Sequence, residues 1–391
     1  MQFVWSSSKA YLGYRAFTSV SSLAFAFLYS RSLGVENRSV IAFVMTANAL
    51  TWIVVTSGTT LTLRKLRPSA FDVNALRSFF SLYLLEVLFS WILFAVLIFT
   101  YSSFKNDVPL NLLLGIFVYF FLSGLHLMSV ELLLAFDQFK TSGLLDIASI
   151  TIQVTFFLIL NHLNLLSIAN TLLIAFSASY LIVFLVALIY LRYKLSLKIG
   201  LSRPQYFFAL TKGHHSLGIS IGIMDRIDRL LIGFLLPTST LGRYAVMSGM
   251  LSVFRFVPDS ISKLLVSRNI SLSSVLREKR IQIGILFVCF VVVLSIVSNI
   301  VIELVLGKVW LLPINVTVFF IFQEFFRSAF QIQANRCIVQ GFTESVHRQA
   351  MSIPIISVIL TLCLVPFLGV YGVSLAISVA FISALLILGK I

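Results

Sequence analysis

Stretches of about 20 predominantly apolar residues recur along this chain, and this feature limits its fold more than any other. A helix of that length crosses a bilayer core roughly 30 Å thick. We predict twelve such spans, at 11–33, 39–62, 79–101, 111–136, 143–161, 166–191, 213–236, 240–265, 281–303, 310–335, 350–368 and 371–389. The ninth is the clearest, because Ile281 to Ile302 carries no charged residue. The sequence therefore predicts an all-α membrane protein.

The composition excludes a soluble protein. Of the 391 residues, 59% are hydrophobic and 11% are charged, whereas soluble domains have roughly 45–50% apolar and about 25% charged residues. A soluble globular enzyme, a disordered chain and a coiled coil are all inconsistent with these values. The longest loops, at 62–78, 192–212 and 266–280, are too short to hold an extramembrane domain.

The distribution of basic residues predicts the orientation. The formal net charge is +15, and 20 of the 29 Lys and Arg residues lie on the side of the N-terminus. Five lie on the other side and four inside spans. Cytoplasmic loops carry the excess of Lys and Arg, so we expect both termini in the cytoplasm. The positive charge favours contact with anionic membrane lipids, and no soluble basic domain is present to bind nucleic acid.

Processing and enzymatic motifs are missing from the sequence. The first apolar stretch follows the polar run at 6–9 and has no small-residue cleavage site, so we predict a span and not a signal peptide. The three Cys residues form no CxxC pair, which argues against a disulfide framework or a zinc site. No HExxH, GxSxG or P-loop motif occurs. We therefore predict no enzymatic activity, no metal and no other cofactor.

The basic loop at 192–212 divides the spans into two sets of six. We predict an N-terminal lobe at 1–200 and a C-terminal lobe at 201–391, arranged around a central cavity. Transporters are often built from internal repeats. A short match is present here, because Leu33-Gly34 after the first span resembles Leu241-Gly242 after the seventh.

Charged residues inside the spans are the candidate functional residues, because each costs about 2.5 kcal/mol or more in a bilayer. The candidate substrate-binding cations are Arg15, Arg226, Arg229, Arg255 and Arg327. The candidate coupling or gating acids are Glu131, Asp225, Asp228 and Glu324. All of the mid-span cations are arginines, which bind phosphate or carboxylate through two hydrogen bonds and keep their charge in a dry site.

A structural role remains an alternative for these charges. Asp225 and Arg229 share a helix face at i,i+4, and Asp228 lies on nearly the same face, so this cluster can neutralise itself. Glu324 and Arg327 stand at i,i+3 and can form a polar seam. Arg255 can pair with the acid four residues later, Arg15 can reach the cytoplasm, and Glu131 can serve as a counter-ion.

Three patches resemble polysaccharide repeat-unit flippases of the O-antigen or teichoic type, in the multidrug/oligosaccharidyl-lipid/polysaccharide (MOP) exporter superfamily. The first reads RAFTSVSS at 15–22, followed by SRSLGVENR at 30–38. The second reads DRIDRLLIGF at 225–234 and continues as LGRYA at 241–245. The third reads LGVYGVSLA at 368–376, similar to the start of the family's last span.

This resemblance implies a transporter of the bacterial cytoplasmic (inner) membrane. Its cavity would open alternately to each side and export an undecaprenyl-diphosphate-linked oligosaccharide. The cavity cations would be Arg15, Arg226, Arg229 and Arg255. A polysaccharide polymerase is an expected partner. The chain is short for the family, and Asp225 and Asp228 offset the cavity charge, which allows coupling to a monovalent cation or a proton.

We therefore predict a flippase for lipid-linked sugar repeat units, and three alternatives remain. A cation-coupled drug antiporter of the same superfamily requires more acidic than basic residues in the cavity. Here the mid-span cations slightly outnumber the central acids. The four cations are Arg226, Arg229, Arg255 and Arg327, and the three acids are Asp225, Asp228 and Glu324. A membrane-embedded polysaccharide polymerase or ligase requires a large outer loop, and the outer loops near 102–110 and 304–309 are short. A structural scaffold predicts no deep cavity.

Overall fold

Helices make up nearly all of the described chain, and no β-strand occurs among the described residues. The computed structural model describes residues 2–65, 73–105, 108, 110–136, 138–164, 166–195, 203, 205, 211, 219, 222–223, 226–251, 280–339 and 343–388. The predicted all-α fold class is confirmed.

The helices of the described chain are numbered in order along the sequence. In chain order they are α1 (Gln2–Lys65), α2 (Val73–Lys105), α3 (Leu110–Ala135), α4 (Phe139–Leu163), α5 (Ile168–Leu195), α6 (Ile227–Leu235), α7 (238–251), α8 (Arg280–Leu306), α9 (Ile314–Val339), α10 (Thr343–Leu368) and α11 (Val370–Leu388). A 3-10 turn at Lys308–Trp310 joins α8 to α9.

Seven described helices are long and apolar enough to cross a membrane. They are Ala16–Thr60, Arg77–Lys105, Leu112–Ala135, Phe139–Leu163, Ile168–Lys194, Glu344–Leu368 and Val370–Leu388. The chain is therefore a multi-pass membrane protein. Predicted spans three to six, eleven and twelve each coincide with one of these helices. Much of the predicted seventh, eighth and ninth spans lies outside the residues whose side chains are described.

The first and second predicted spans form one element, α1, which is broken only at Gly34. Gly34 has φ 72° and ψ 170°, a left-handed φ that glycine adopts without steric cost. The first two predicted spans leave residues 34–38 between them as a turn. In the structure residues 35–38 are helical, and Gly34 alone interrupts the helix. Arg38 Nε donates to Ser30 Oγ at 3.0 Å across the break, and its guanidinium lies 5.0 Å from the Tyr29 ring centroid.

The chain forms two compact units, whose boundaries cut through α1. Unit 1 contains Met1–Phe25 and Val44–Ile223, and unit 2 contains Ala26–Phe43 and Met224–Ile391. The tip of α1, defined here as Ala26–Phe43, thus belongs to the same unit as the second half of the chain. The two lobes at 1–200 and 201–391 stay a prediction.

Trp52 on α1 is buried and packs against α3 in unit 1. Its indole stacks on Phe120 at 4.8 Å between ring centroids and donates from Nε1 to Ser123 Oγ at 3.1 Å. Asn48 Oδ1 accepts from the same indole at 3.0 Å. Gly124 on α3 provides the space that the ring fills.

Gly124→Ala is expected to destabilise the protein by about 1–3 kcal/mol, the usual cost of overpacking a core. A Cβ at this position would lie 2.0 Å from Trp52 Cζ2, and the ring is held by two hydrogen bonds. Thermal unfolding of the purified protein in detergent measures the effect. Gly115→Ala on the same helix is the control, because its Cβ would lie 3.4 Å from Leu173 Cδ1. Equal melting temperatures for the two variants would contradict this description of the core.

In unit 2, the tip of α1 packs against the segment that joins α6 to α7. Ser39 Oγ hydrogen-bonds to the backbone carbonyl of Thr238, and Phe43 meets Phe234 edge to face at 5.2 Å between ring centroids. Gly242 approaches so closely that a Cβ there would lie 2.3 Å from the Val35 carbonyl oxygen. Of the two Leu-Gly sequences that match in the internal repeat, Leu241-Gly242 therefore lies at this contact, next to the residue that follows Gly34.

Candidate functional site

A cluster of buried polar and charged residues lies inside unit 2. We name it the Asp228 cluster and define it as Asp228, Tyr244, Gln323, Glu324 and Arg327. Asp228, Tyr244 and Gln323 are 0% exposed, Arg327 is 1% exposed and Glu324 is 7% exposed. Buried charges persist only where partners compensate the loss of hydration, so the contacts within the cluster decide what it can do.

Asp228 is the common acceptor of this cluster. Tyr244 donates its hydroxyl to Asp228 Oδ2 at 2.9 Å, and Gln323 Nε2 donates to the same oxygen at 3.4 Å. Arg327 Nη2 lies 3.7 Å from Asp228 Oδ2, and Arg327 Nη1 lies 3.2 Å from Glu324 Oε1. The guanidinium also lies 5.7 Å from the centroid of the Phe381 ring on α11. Arg327 thus connects α6, α9 and α11.

The local sequence explains how these side chains meet. Asp228 stands in the first turn of α6, where its Oδ1 accepts the Arg229 backbone N–H at 2.8 Å, and a carboxylate is favoured at this end of a helix. On α9, Glu324 and Arg327 are one turn apart and share a face. On α7, Tyr244 and Ser248 are spaced i,i+4, and Arg229 donates to the Ser248 hydroxyl.

Two acidic side chains outside the Asp228 cluster, Glu86 and Glu131, lie in unit 1. Thr59 donates its hydroxyl to Glu86 on α2, and Glu131 on α3 is buried. Tyr83 lies within electrostatic range of both carboxylates and donates to the Gly124 carbonyl at 2.9 Å. The described candidate acids are therefore divided, with Glu131 in unit 1 and both Asp228 and Glu324 in unit 2.

The structure brings together three predicted site residues, Asp228, Glu324 and Arg327. Arg226 and Arg229 are half-buried at the start of α6. Arg226, expected inside a continuous helix, has φ −129° and ψ −11° and precedes the first helical residue, Ile227. Asp225 and Arg255 lie outside the described residues, and for Arg15 only the backbone, within α1, is described.

Sequence reasoning did not identify Tyr244 and Ser248 as site residues. A signal was present, because they are two polar side chains at i,i+4 on a largely apolar segment. Their partners could not be read from this spacing, since Asp228 is 16 residues away from Tyr244 and Arg229 is 19 residues away from Ser248.

In the Asp228 cluster, the carboxylate oxygens of Asp228 and Glu324 lie near one permanent cation, the Arg327 guanidinium. Carboxylate and amide oxygens suit hard cations, and the contacts given above for the described residues of the cluster come from carboxylate, amide, hydroxyl and guanidinium groups. Within the described ranges, no group of three or more His, Cys, Asp or Glu side chains is placed to hold a metal ion.

The chain has the same fold as solved structures of transporters, at sequence identities of 12–14%. No protein-family model matches the chain, and no curated protein matches it. The structure of the lipid II flippase MurJ in an inward closed conformation is similar over 97% of this chain and 86% of that one, with a TM-score of 0.69 and 14% identity.

Drug transporters share the same fold. An inward-facing multidrug resistance MATE transporter of the MOP superfamily is similar over 95% of this chain and 94% of its own, with a TM-score of 0.69 and 12% identity. The eukaryotic MATE transporter AtDTX14 covers 99% and 95%, with a TM-score of 0.57 and 14% identity. These similarities establish the fold and leave the substrate open.

Proposed function

We propose that this protein is a flippase that moves undecaprenyl-diphosphate-linked oligosaccharide repeat units across the bacterial cytoplasmic membrane. The observation that carries the proposal is the shared fold with a lipid II flippase over 97% of the chain. A charge argument adds to it, because all four mid-span cations of the sequence are arginines. Arginine holds phosphate groups through two parallel hydrogen bonds.

In this proposal the half-buried arginines bind the head group. Arg226 and Arg229 stand at the start of α6 and are only partly buried. We assign the diphosphate to them and keep Arg15 and Arg255 as head-group cations predicted from the sequence. Arg327 is 1% exposed and contacts two carboxylates, so we assign it to positioning α6 and α9 and not to direct contact with the substrate.

The transport cycle would be alternating access, with the lobes at 1–200 and 201–391 rocking against each other. We retain Glu131 and Asp225 as candidate gating acids, coupled to a proton or a monovalent cation. Both termini would face the cytoplasm, and a polysaccharide polymerase would receive the exported repeat units. The protein itself would carry out no chemical reaction.

A cation-coupled drug antiporter is the second candidate function. Two observations favour it: the MATE transporter matches with the same TM-score as the flippase, and the Asp228 cluster holds two carboxylates to one guanidinium. The flippase is preferred because an excess of mid-span cations over central acids suits an anionic head group.

A flipping assay in liposomes tests the proposal. The purified chain is reconstituted with a fluorescent undecaprenyl-diphosphate-oligosaccharide, and an external sugar-modifying enzyme converts whatever reaches the outer leaflet. With wild-type protein in the liposomes, the external enzyme is expected to convert the lipid that began in the inner leaflet as well. No conversion across several repeat units and ion gradients would reject the flippase.

Arg229→Ala is expected to slow flipping by about 10-fold to 100-fold, since a hydrogen bond to a charged group contributes about 1.5–3 kcal/mol. Arg348→Ala is the matched control, because Arg348 is exposed and its ion pair among the described residues is with Glu344, also exposed, at 2.6 Å. Folded yield is measured for both by gel filtration. Wild-type flipping rates in Arg229→Ala would remove this residue from the head-group site.

A further inference from the structure

The charge balance of the Asp228 cluster carries an inference about cation binding. Asp228 and Glu324 are buried acids on different helices, and both approach the same guanidinium. Arg327 lies 3.7 Å from one carboxylate and 3.2 Å from the other. The geometry therefore defines one position at which a single positive charge contacts both acids.

The guanidinium of Arg327 is a permanent charge at this position. Arginine does not lose its proton in proteins, so the charge persists at any working pH. Its burial and its contact with the Phe381 ring hold the side chain in place. A free cation entering the same position would meet both a like charge and the volume of the side chain.

Gln323 provides an independent observation. Its Nε2 donates to Asp228, but its Oε1 is buried and accepts no hydrogen bond from the described part of the chain. Gln323 is 0% exposed, so bulk solvent does not reach this oxygen. The amide of Gln323 contacts Asp228 and the residue precedes Glu324 in α9, so its oxygen adds a third hard oxygen donor to the two carboxylates of the cluster.

We propose that Asp228, Gln323 and Glu324 form a monovalent-cation site in which the Arg327 guanidinium is the resident cation. The site binds sodium or potassium only when the guanidinium is removed. Asp228 and Glu324 are then not available to couple transport to an ion gradient, and coupling falls to acids outside the cluster. The inference goes beyond the proposed function, because it holds for a flippase and for an antiporter alike.

Thermal unfolding in different salts tests the inference without any transport measurement. Wild-type protein, purified in detergent, is unfolded in NaCl, KCl or choline chloride at equal concentration. Its melting temperature is expected to be the same in all three. Arg327→Met is expected to melt at least about 3 °C higher in NaCl or KCl than in choline chloride, because a ligand of the folded state stabilises it.

Two control variants separate cation binding from general salt effects. Asp228→Asn combined with Arg327→Met has the same formal charge as the wild-type cluster but lacks one carboxylate, and it is expected to show no preference among the salts. Arg327→Lys keeps a cation in the site and should behave as wild-type protein does.

Three results would overturn the inference. One is a sodium- or potassium-specific stabilisation of wild-type protein that Asp228→Asn abolishes. Another is a folded Arg327→Met protein with equal melting temperatures in all three salts. The third is an Arg327→Met protein that folds in none of the salts, although Asp228→Asn combined with Arg327→Met folds. In that case the two carboxylates would require the guanidinium itself, and sodium or potassium could not replace it.

Discussion

Asp228→Ala is expected to lower the free energy of unfolding by about 3–5 kcal/mol, the cost of removing one partner from a buried charged pair. The carboxylate is the acceptor for Tyr244 and Gln323 and the ion-pair partner of Arg327. Without it, these buried donors lose their acceptor in a place that water does not reach. Thermal unfolding and folded yield in detergent measure the loss.

Glu303→Ala is the matched control for this prediction. Glu303 also pairs with a cation, Lys308 at 3.8 Å, but both side chains are exposed and the pair contributes little. The variant is expected to unfold as wild-type protein does. If Asp228→Ala were as stable as Glu303→Ala, the Asp228 cluster would not hold α6, α7 and α9 together, and the description of the site would be wrong.

Gly242→Ala is expected to destabilise unit 2 by about 1–3 kcal/mol or more through a clash with the backbone of α1. A Cβ at this position would lie 2.3 Å from the Val35 carbonyl oxygen and 2.7 Å from Ser39 Oγ. A backbone carbonyl cannot rotate away as a side chain does, so α7 must move from the tip of α1. The hydrogen bond from Ser39 to Thr238 would be lost with that movement.

Gly13→Ala is the control, and it is expected to stabilise the protein slightly or leave its stability unchanged. Gly13 also lies in a helix, but beyond the backbone of that helix and its two chain neighbours no atom of the described residues would lie within 4 Å of its Cβ. Alanine is favoured over glycine inside a helix by roughly 1 kcal/mol, so this variant should melt at or above the wild-type temperature. A Gly242→Ala protein that melts as high as Gly13→Ala would show that α7 and the tip of α1 are not in close contact.

The described spans were predictable from the sequence because the bilayer imposes their length and apolar character. Helices such as Phe139–Leu163 and Val370–Leu388 follow directly from runs of apolar residues. The interruption of α1 at Gly34 was harder to predict. The sequence indicates a turn of several residues between the first two spans, whereas one glycine with φ 72° is enough to break the helix. Helix ends depend on single backbone angles that hydropathy does not report.

The candidate site was predictable only in part. The charges of Asp228, Glu324 and Arg327 stand out in the sequence because they interrupt apolar stretches. Which of them meet was not predictable, since Asp228 and Gln323 are 95 residues apart and their contact depends on how α6 packs on α9. Tyr244 is uncharged and did not stand out in the sequence, although its hydroxyl donates to the central carboxylate at 2.9 Å.

The fold alone does not separate a flippase from a drug antiporter, because a lipid II flippase and a MATE transporter match equally well. The difference must come from the side chains that face the substrate. Arg226 and Arg229 favour an anionic head group in our account. The Arg327 guanidinium neutralises part of the acidic charge that a cationic drug would require.

The most direct test measures both activities in the same proteoliposomes. One assay follows conversion of the fluorescent undecaprenyl-diphosphate-oligosaccharide by the external enzyme, and the other follows efflux of a cationic dye driven by a sodium or proton gradient. Our account predicts protein-dependent conversion of the lipid-linked sugar and no gradient-driven dye efflux. Dye efflux without conversion of the lipid would contradict it and identify the chain as an antiporter.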